Sequence, residues 1–396
     1  MITSIRYKND YTFPAEVNFL FKPALLLLTL TFLTFSNSCI SKFIPEVSAD
    51  QQLIVVEGII TDQPGQKTIK ISTSTPLGER SIPKPLTGCN VTLSDDAGNY
   101  IMLSEISDGL YATPDEFLAV VGRSYTLHIK TNSNHLNKTY ESAPVLMKPV
   151  PPIDSLYYEK IVLSRASDGV PSAEGCQVFV NTHDPTNNCR YYRWEYAETW
   201  VFELPYYVQN RKCWVSNNSP QINIKTSSSL SEDRVDRMPL NYITNESDRL
   251  NMNYSILVNQ YSLTEQEYSY WEKLKNMVEQ VGSLYDVIPT SIPGNIRCIE
   301  NPGENVLGYF SVSAVKSKRL FIDDKFRGMV NLYTLCENTA VGYNDSIPGL
   351  DITRWIIIWH PEPAPGYKVL TFSKGCADCT VRGTTIKPDF WPDDEK

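Results

Sequence analysis

A chain of 396 residues is long enough to bury a core in each of two or three domains. Its 45 acidic against 36 basic side chains leave a formal charge of -9, which argues against nucleic acid or any other polyphosphate as partner. Hydrophobic residues at 42% exclude wholesale disorder, and 23 Tyr, 14 Phe and 7 Trp beside only 4 His favour aromatic-rich strands over a multi-histidine metal site.

The N-terminus sets the compartment. Residues 24–35 form an apolar block behind Lys22. It is shorter than the roughly 20 residues a membrane-spanning helix needs, and so reads as the core of an export signal. It runs into Ser36, Asn37, Ser38 and Cys39, a small residue followed by cysteine that resembles a bacterial lipobox. On this reading residues 1–38 are a lipoprotein signal peptide, and Cys39 is the lipidated first residue that holds the chain to a membrane. An ordinary secretory peptide cut elsewhere and an uncleaved signal anchor are the alternatives. Setting Cys39 aside leaves Cys89, Cys176, Cys189, Cys213, Cys298, Cys336, Cys376 and Cys379, an even set that permits full pairing. An exported chain favours disulfides over free thiols, though spacing does not reveal the pairing. Cys376 and Cys379 also have Cys-x-x-Cys spacing, but no second such pair exists to complete a zinc site.

Residues 39–52 read as a tether. From Leu53 the pattern becomes strands: Ile69 and Ile71 alternate with polar residues, as do Val91 and Leu93, and then Tyr125, Leu127 and Ile129. Short strands divided by Gly, Pro and Asp turns predict an Ig-like β-sandwich over 53–147. The proline-dense run from Met147 to Pro152 marks a boundary, and residues 148–392 follow as a larger β-rich domain. There Tyr192, Trp194, Tyr196, Trp200 and Phe202 share one parity, so a long strand with an aromatic core face is expected. One helix is inserted near 264–281. Thr264 and Glu267 form a capping box, Leu263 can staple onto Tyr268, and Trp271, Leu274, Val278 and Val281 make an apolar stripe. Residues 393–396 are an acidic tail. The predicted fold class is therefore mainly β: a sandwich followed by a β-rich domain with one helix.

No phosphate loop, dinucleotide turn, zinc-protease helix or nucleophile elbow occurs in the chain. His128, His135, His183 and His360 are scattered singly. No catalytic residue, metal ligand or cofactor is assigned.

Several strings carry a resemblance. They include Val55 to Gly65, Pro149 to Tyr158, Tyr254 to Thr264, Gly294 to Ile296, Val306 to Phe310, and the C-terminal Cys376, Asp378, Cys379 and Lys387 to Trp391. Together they resemble a family of outer-membrane lipoproteins of the Bacteroidota known as a domain of unknown function. That resemblance implies genes beside TonB-dependent receptors and an accessory role in nutrient capture or uptake. Gly88 to Leu93, Asp96 to Gly98 and Gly109 to Tyr111 also look like small Ig- or transthyretin-like modules, which concerns fold only.

The expectation is thus a non-enzymatic, lipid-anchored outer-membrane protein, on the surface or the periplasmic face, whose partners are the membrane and a TonB-dependent receptor barrel. A glycan-binding or adhesion module is the second reading, with a glycan or peptide contacting Tyr206, Tyr207 and Trp214. A hydrolase with an inter-domain cleft is the third; it needs two carboxylates facing each other.

Overall fold

The structure is a computed structural model that describes residues 53–74, 83–132, 137–164, 172–206, 208–280, 292–330, 332, 336, 338–342, 356–358, 367–371 and 373–393. The signal peptide, Cys39, the tether, Tyr207, Val281 and the end of the tail lie outside the described residues. All described residues belong to one contact unit.

The protein is mainly β. Its strands in chain order are β1 (Ile54–Thr61), β2 (Thr68–Thr73), β3 (Lys84–Pro85), β4 (Asn90–Asp95), β5 (Tyr100–Ser107), β6 (Leu110–Ala112), β7 (Ser124–Lys130), β8 (Thr139–Ser142) and β9 (Val145–Leu146). There follow β10 (Ile153–Ser164), β11 (Ala173–Asp184), β12 (Tyr191–Glu203), β13 (Lys212–Asn218), β14 (Asn223–Thr226), β15 (Asp233–Ile243) and β16 (Tyr254–Ser262). After the helix α1 (Glu265–Gln280) come β17 (Ile296–Cys298), β18 (Leu307–Ser313), β19 (Val315–Ile322), β20 (Asn338–Gly342), β21 (Ile356–Ile358) and β22 (Tyr367–Thr371), then a short helix α2 (Lys374–Ala377). No helix among the described residues is long and apolar enough to cross a membrane.

The first sheet runs β17-β8-β7-β4-β5-β6-β2-β1-β18, with β3 on β2 and β9 on β7. Its period-two apolar residues point inward: Val56, Ile69, Ile71, Val91, Leu93, Leu127 and Ile129 are all buried. The two ends of the order are consecutive strands in contact, so the sheet curls nearly closed. Across that seam the Asn295 side chain both donates to the Phe310 carbonyl (2.8 Å) and accepts from its amide (2.9 Å), taking the place of a strand partner. The sheet built from the first 147 residues is thus completed by strands from beyond residue 290.

Closure depends on one parallel pairing, β1 with β18, in register Val56↔Gly308 and Gly58↔Phe310. Gly308 sits at φ +85, and a Cβ there would lie 2.0 Å from the Val56 carbonyl oxygen. No L side chain fits that approach.

Two further sheets, β10-β11-β15 and β13-β12-β16-β19 with β14 on β12, bury their facing sides in the same core. The aromatic parity of β12 lies inside as expected, with Tyr192 and Trp194 fully covered. Burial would strand their polar tips, so each is partnered. Tyr192 donates to Asp233 (2.7 Å), Trp194 to Gln260 (2.9 Å), and Tyr196 to Asn241 (3.1 Å). Gln260 in turn donates to Pro151 and Thr182, which ties the proline-rich segment down between the sheets. A third small sheet is ordered β20-β22-β21.

The cysteines divide. Cys213 bonds Cys379, and Cys336 bonds Cys376, closing separations of 166 and 40 residues. By chain entropy such loops are worth about 5 and about 4 kcal/mol. The Cys-x-x-Cys pair is therefore two separate staples, not a redox dithiol. The full pairing that the even set permits does not occur: Cys89, Cys176, Cys189 and Cys298 are free and packed among apolar neighbours. Burial pushes the thiols of Cys176 and Cys189 up to about 12, so they stay protonated and unreactive.

Two outcomes check this fold. Alkylation of the denatured, unreduced protein followed by peptide mass spectrometry should label Cys89, Cys176, Cys189 and Cys298, and the remaining four only after reduction. Gly308→Ala should cost at least about 2 kcal/mol in denaturant unfolding, because it breaks the closing strand pair.

Candidate functional site

The helix α1 starts as its cap predicts. The Glu267 amide donates to the Thr264 hydroxyl (3.2 Å), and Leu263 is buried beneath Tyr268. The capping box is only half made, however, because the Glu267 side chain does not return to the backbone. It turns into the protein, where its Oε1 accepts from Trp271 Nε1 one turn later (3.4 Å). The apolar stripe also ends early: Trp271 and Leu274 are half-buried, whereas Val278 is 61% exposed. The half of the helix up to Leu274 is the part that meets the sheets.

Where they touch, five segments surround a cleft of about 380 Å³. Glu57 and Gly58 come from β1, Thr68 and Lys70 from β2, Arg193 from β12, Tyr270 and Trp271 from α1, and Tyr309 and Ser311 from β18. Gly58 shapes one wall, since a Cβ there would meet the Ile69 side chain at 2.2 Å. Tyr270 packs on Tyr309 with ring centroids 4.8 Å apart, leaving a half-buried aromatic surface along the opening. Arg193 is only 8% exposed; its guanidinium lies 4.1 Å over the Trp271 ring and 5.3 Å over that of Tyr261, and it pairs with Glu195. That sandwich fixes a cation in the cleft wall. Lys70 and Glu57 form an exposed pair at 3.6 Å on the other side.

Glu267 lies beneath this arrangement. Its carboxyl is fully buried, and Oε2 has no hydrogen-bond partner. Burial raises its pKa to about 7, only partly opposed by the nearby Ser311 hydroxyl, the Arg193 charge and Trp271. A buried carboxyl this poorly satisfied is rare in a purely structural position.

Of the aromatic ligand contacts expected from sequence, Tyr206 and Trp214 are described. Trp214 is buried against Val201 and Trp391, and its backbone pairs with Thr384. Tyr206 donates to the Cys336 carbonyl (2.9 Å), close to the second disulfide. Tyr207 lies outside the described residues. Among the described residues no three His, Cys, Asp or Glu come together to hold a metal ion. Arg193, Tyr270 and Tyr309 were not singled out from sequence, and Glu267 only as half of a capping box, although Arg193 carries a visible signal as the one basic residue inside an aromatic strand.

The Glu267 shift has a definite sign. Its folded pKa of about 7 exceeds the ordinary 4.5, so the native state holds the proton more tightly. The stability this contributes, about 3 kcal/mol, is complete below pH of about 4.5 and is lost as pH rises through about 7. Glu267→Gln should therefore flatten the unfolding free energy across that window and leave the variant more stable than the parent at pH 8. Urea titrations at several pH values measure both.

No curated protein matches the chain. A family model described as a domain of unknown function, DUF4249, matches residues 40–319. That is more than half of the chain, spans every segment lining the cleft, and shows that the protein belongs to the DUF4249 family.

Proposed function

We propose that this protein is a non-enzymatic, lipid-anchored outer-membrane component that works beside a TonB-dependent receptor in nutrient capture or uptake, with the cleft under α1 holding the ligand. The cleft carries the reading. It joins a half-buried aromatic surface, a stacked and fixed cation and an exposed ion pair. Such convergence of a few polar groups on an apolar hollow is what small-ligand sites have in common.

The compartment rests on separate support. The apolar block before Cys39 is of export-signal length, and two disulfides close long loops, as suits a chain folded outside the reducing cytosol. The -9 charge and the absence of a basic run favour a ligand other than nucleic acid.

Affinity purification of the chain from detergent-solubilised outer membranes tests the role. The parent should be found in the membrane fraction and bring down a receptor barrel. Cys39→Ala should move it to the soluble fraction and lose the barrel. A Cys39→Ala protein that stays membrane-bound, or a parent that never retrieves a receptor, contradicts the proposal.

A further inference from the structure

The cleft's charges are already balanced among themselves. Arg193 is compensated by Glu195, and Lys70 by Glu57. An anionic ligand would find the paired acids repelling it, and a cationic ligand would meet Arg193 and Lys70. What remains is hydrogen bonding without net charge: Thr68, Lys70 and Ser311 offer polar groups around the opening. Beside them stands the face of Tyr270, backed by Tyr309 at 4.8 Å. A flat apolar face next to a dense mixture of donors and acceptors matches a ring with CH groups on one side and hydroxyls around its rim. The volume of about 380 Å³ lies toward the small end for ligand sites, which limits the occupant to one or two such rings.

Resting on the capture reading above, we infer that the cleft takes a neutral carbohydrate unit, laid on Tyr270 and hydrogen-bonded by Arg193, Lys70 and Ser311. Gly308 lets β18 approach β1, and Gly58 lets β2 approach it from the other side, which brings this set together.

Isothermal titration of the full chain against a fixed set of probes tests it: glucose, galactose, mannose, xylose, N-acetylglucosamine, maltose and lactose, with glucuronate and trialanine as charged comparisons. At least one neutral sugar should bind saturably, and Tyr270→Ala should weaken it about tenfold, the scale of one lost aromatic contact. Lys70→Gln, at an exposed position that folding does not need, should weaken the same sugar several-fold and guards against a misfolded Tyr270 variant. Silence across the neutral sugars overturns the inference, as does sugar binding that neither substitution changes. Binding confined to glucuronate or trialanine, and sensitive to both substitutions, overturns the sugar assignment while leaving ligand capture intact. Sugar binding by a chain that never retrieves a receptor leaves this inference standing and removes the receptor from the reading above.

Discussion

The parallel pairing of β1 with β18 is the constraint on which the architecture turns. Antiparallel neighbours can be joined by a short hairpin, but a parallel partner must be brought from elsewhere in the chain. Here it comes from some 250 residues downstream, and the contact is tolerated because Gly308 has no side chain to collide with Val56. The pairing completes the curled sheet and sets Glu57 and Gly58 beside Tyr309 and Ser311. It therefore builds the floor of the cleft as well as the wall of the core.

The rest of the cleft follows from the burial of Arg193 and the pinned start of α1. The β12 strand is covered on both sides, which forces Arg193 to find compensation inside the protein; it does so by stacking on Trp271 and pairing with Glu195. The helix α1 must present aromatic residues to that guanidinium, and its first turns are pinned by the Thr264 cap and the Leu263 contact. Glu267 is carried inward as a consequence. It costs stability above neutral pH, a cost that a polar-to-apolar change would avoid.

The C-terminal segment is secured by different chemistry. Cys379 anchors it to β13, Arg382 donates to the buried Asp248 carboxylate (2.8 and 3.0 Å), and Trp391 is buried against Trp214. Arg319 lies 3.5 Å over the half-exposed Phe390 ring, adding a cation–π contact beside it. This segment lies beyond the matched family region and away from the residues that line the cleft. Its staples and the cleft's ion pairs are thus separate devices within one contact unit.

Much of this was legible in the sequence. Alternation of apolar residues located β2, β4, β7 and β12, because a side chain's face in a strand depends only on its parity. The cap at Thr264 located α1 for the same local reason. The strands β10 and β11 were not singled out, although Cys176, Val178 and Val180 alternate inward along β11. Which cysteines bond, which strand closes the sheet, and where Glu267 points are different in kind. Each depends on segments far apart in the chain meeting at a particular distance, and no local period records that. The amino-acid order by itself determined a mainly β protein with one capped helix; only the tertiary structure decided that Glu57, Arg193, Tyr270 and Tyr309 share a cleft, because a contact between strands brought from opposite ends of the chain is set by packing and not by pattern.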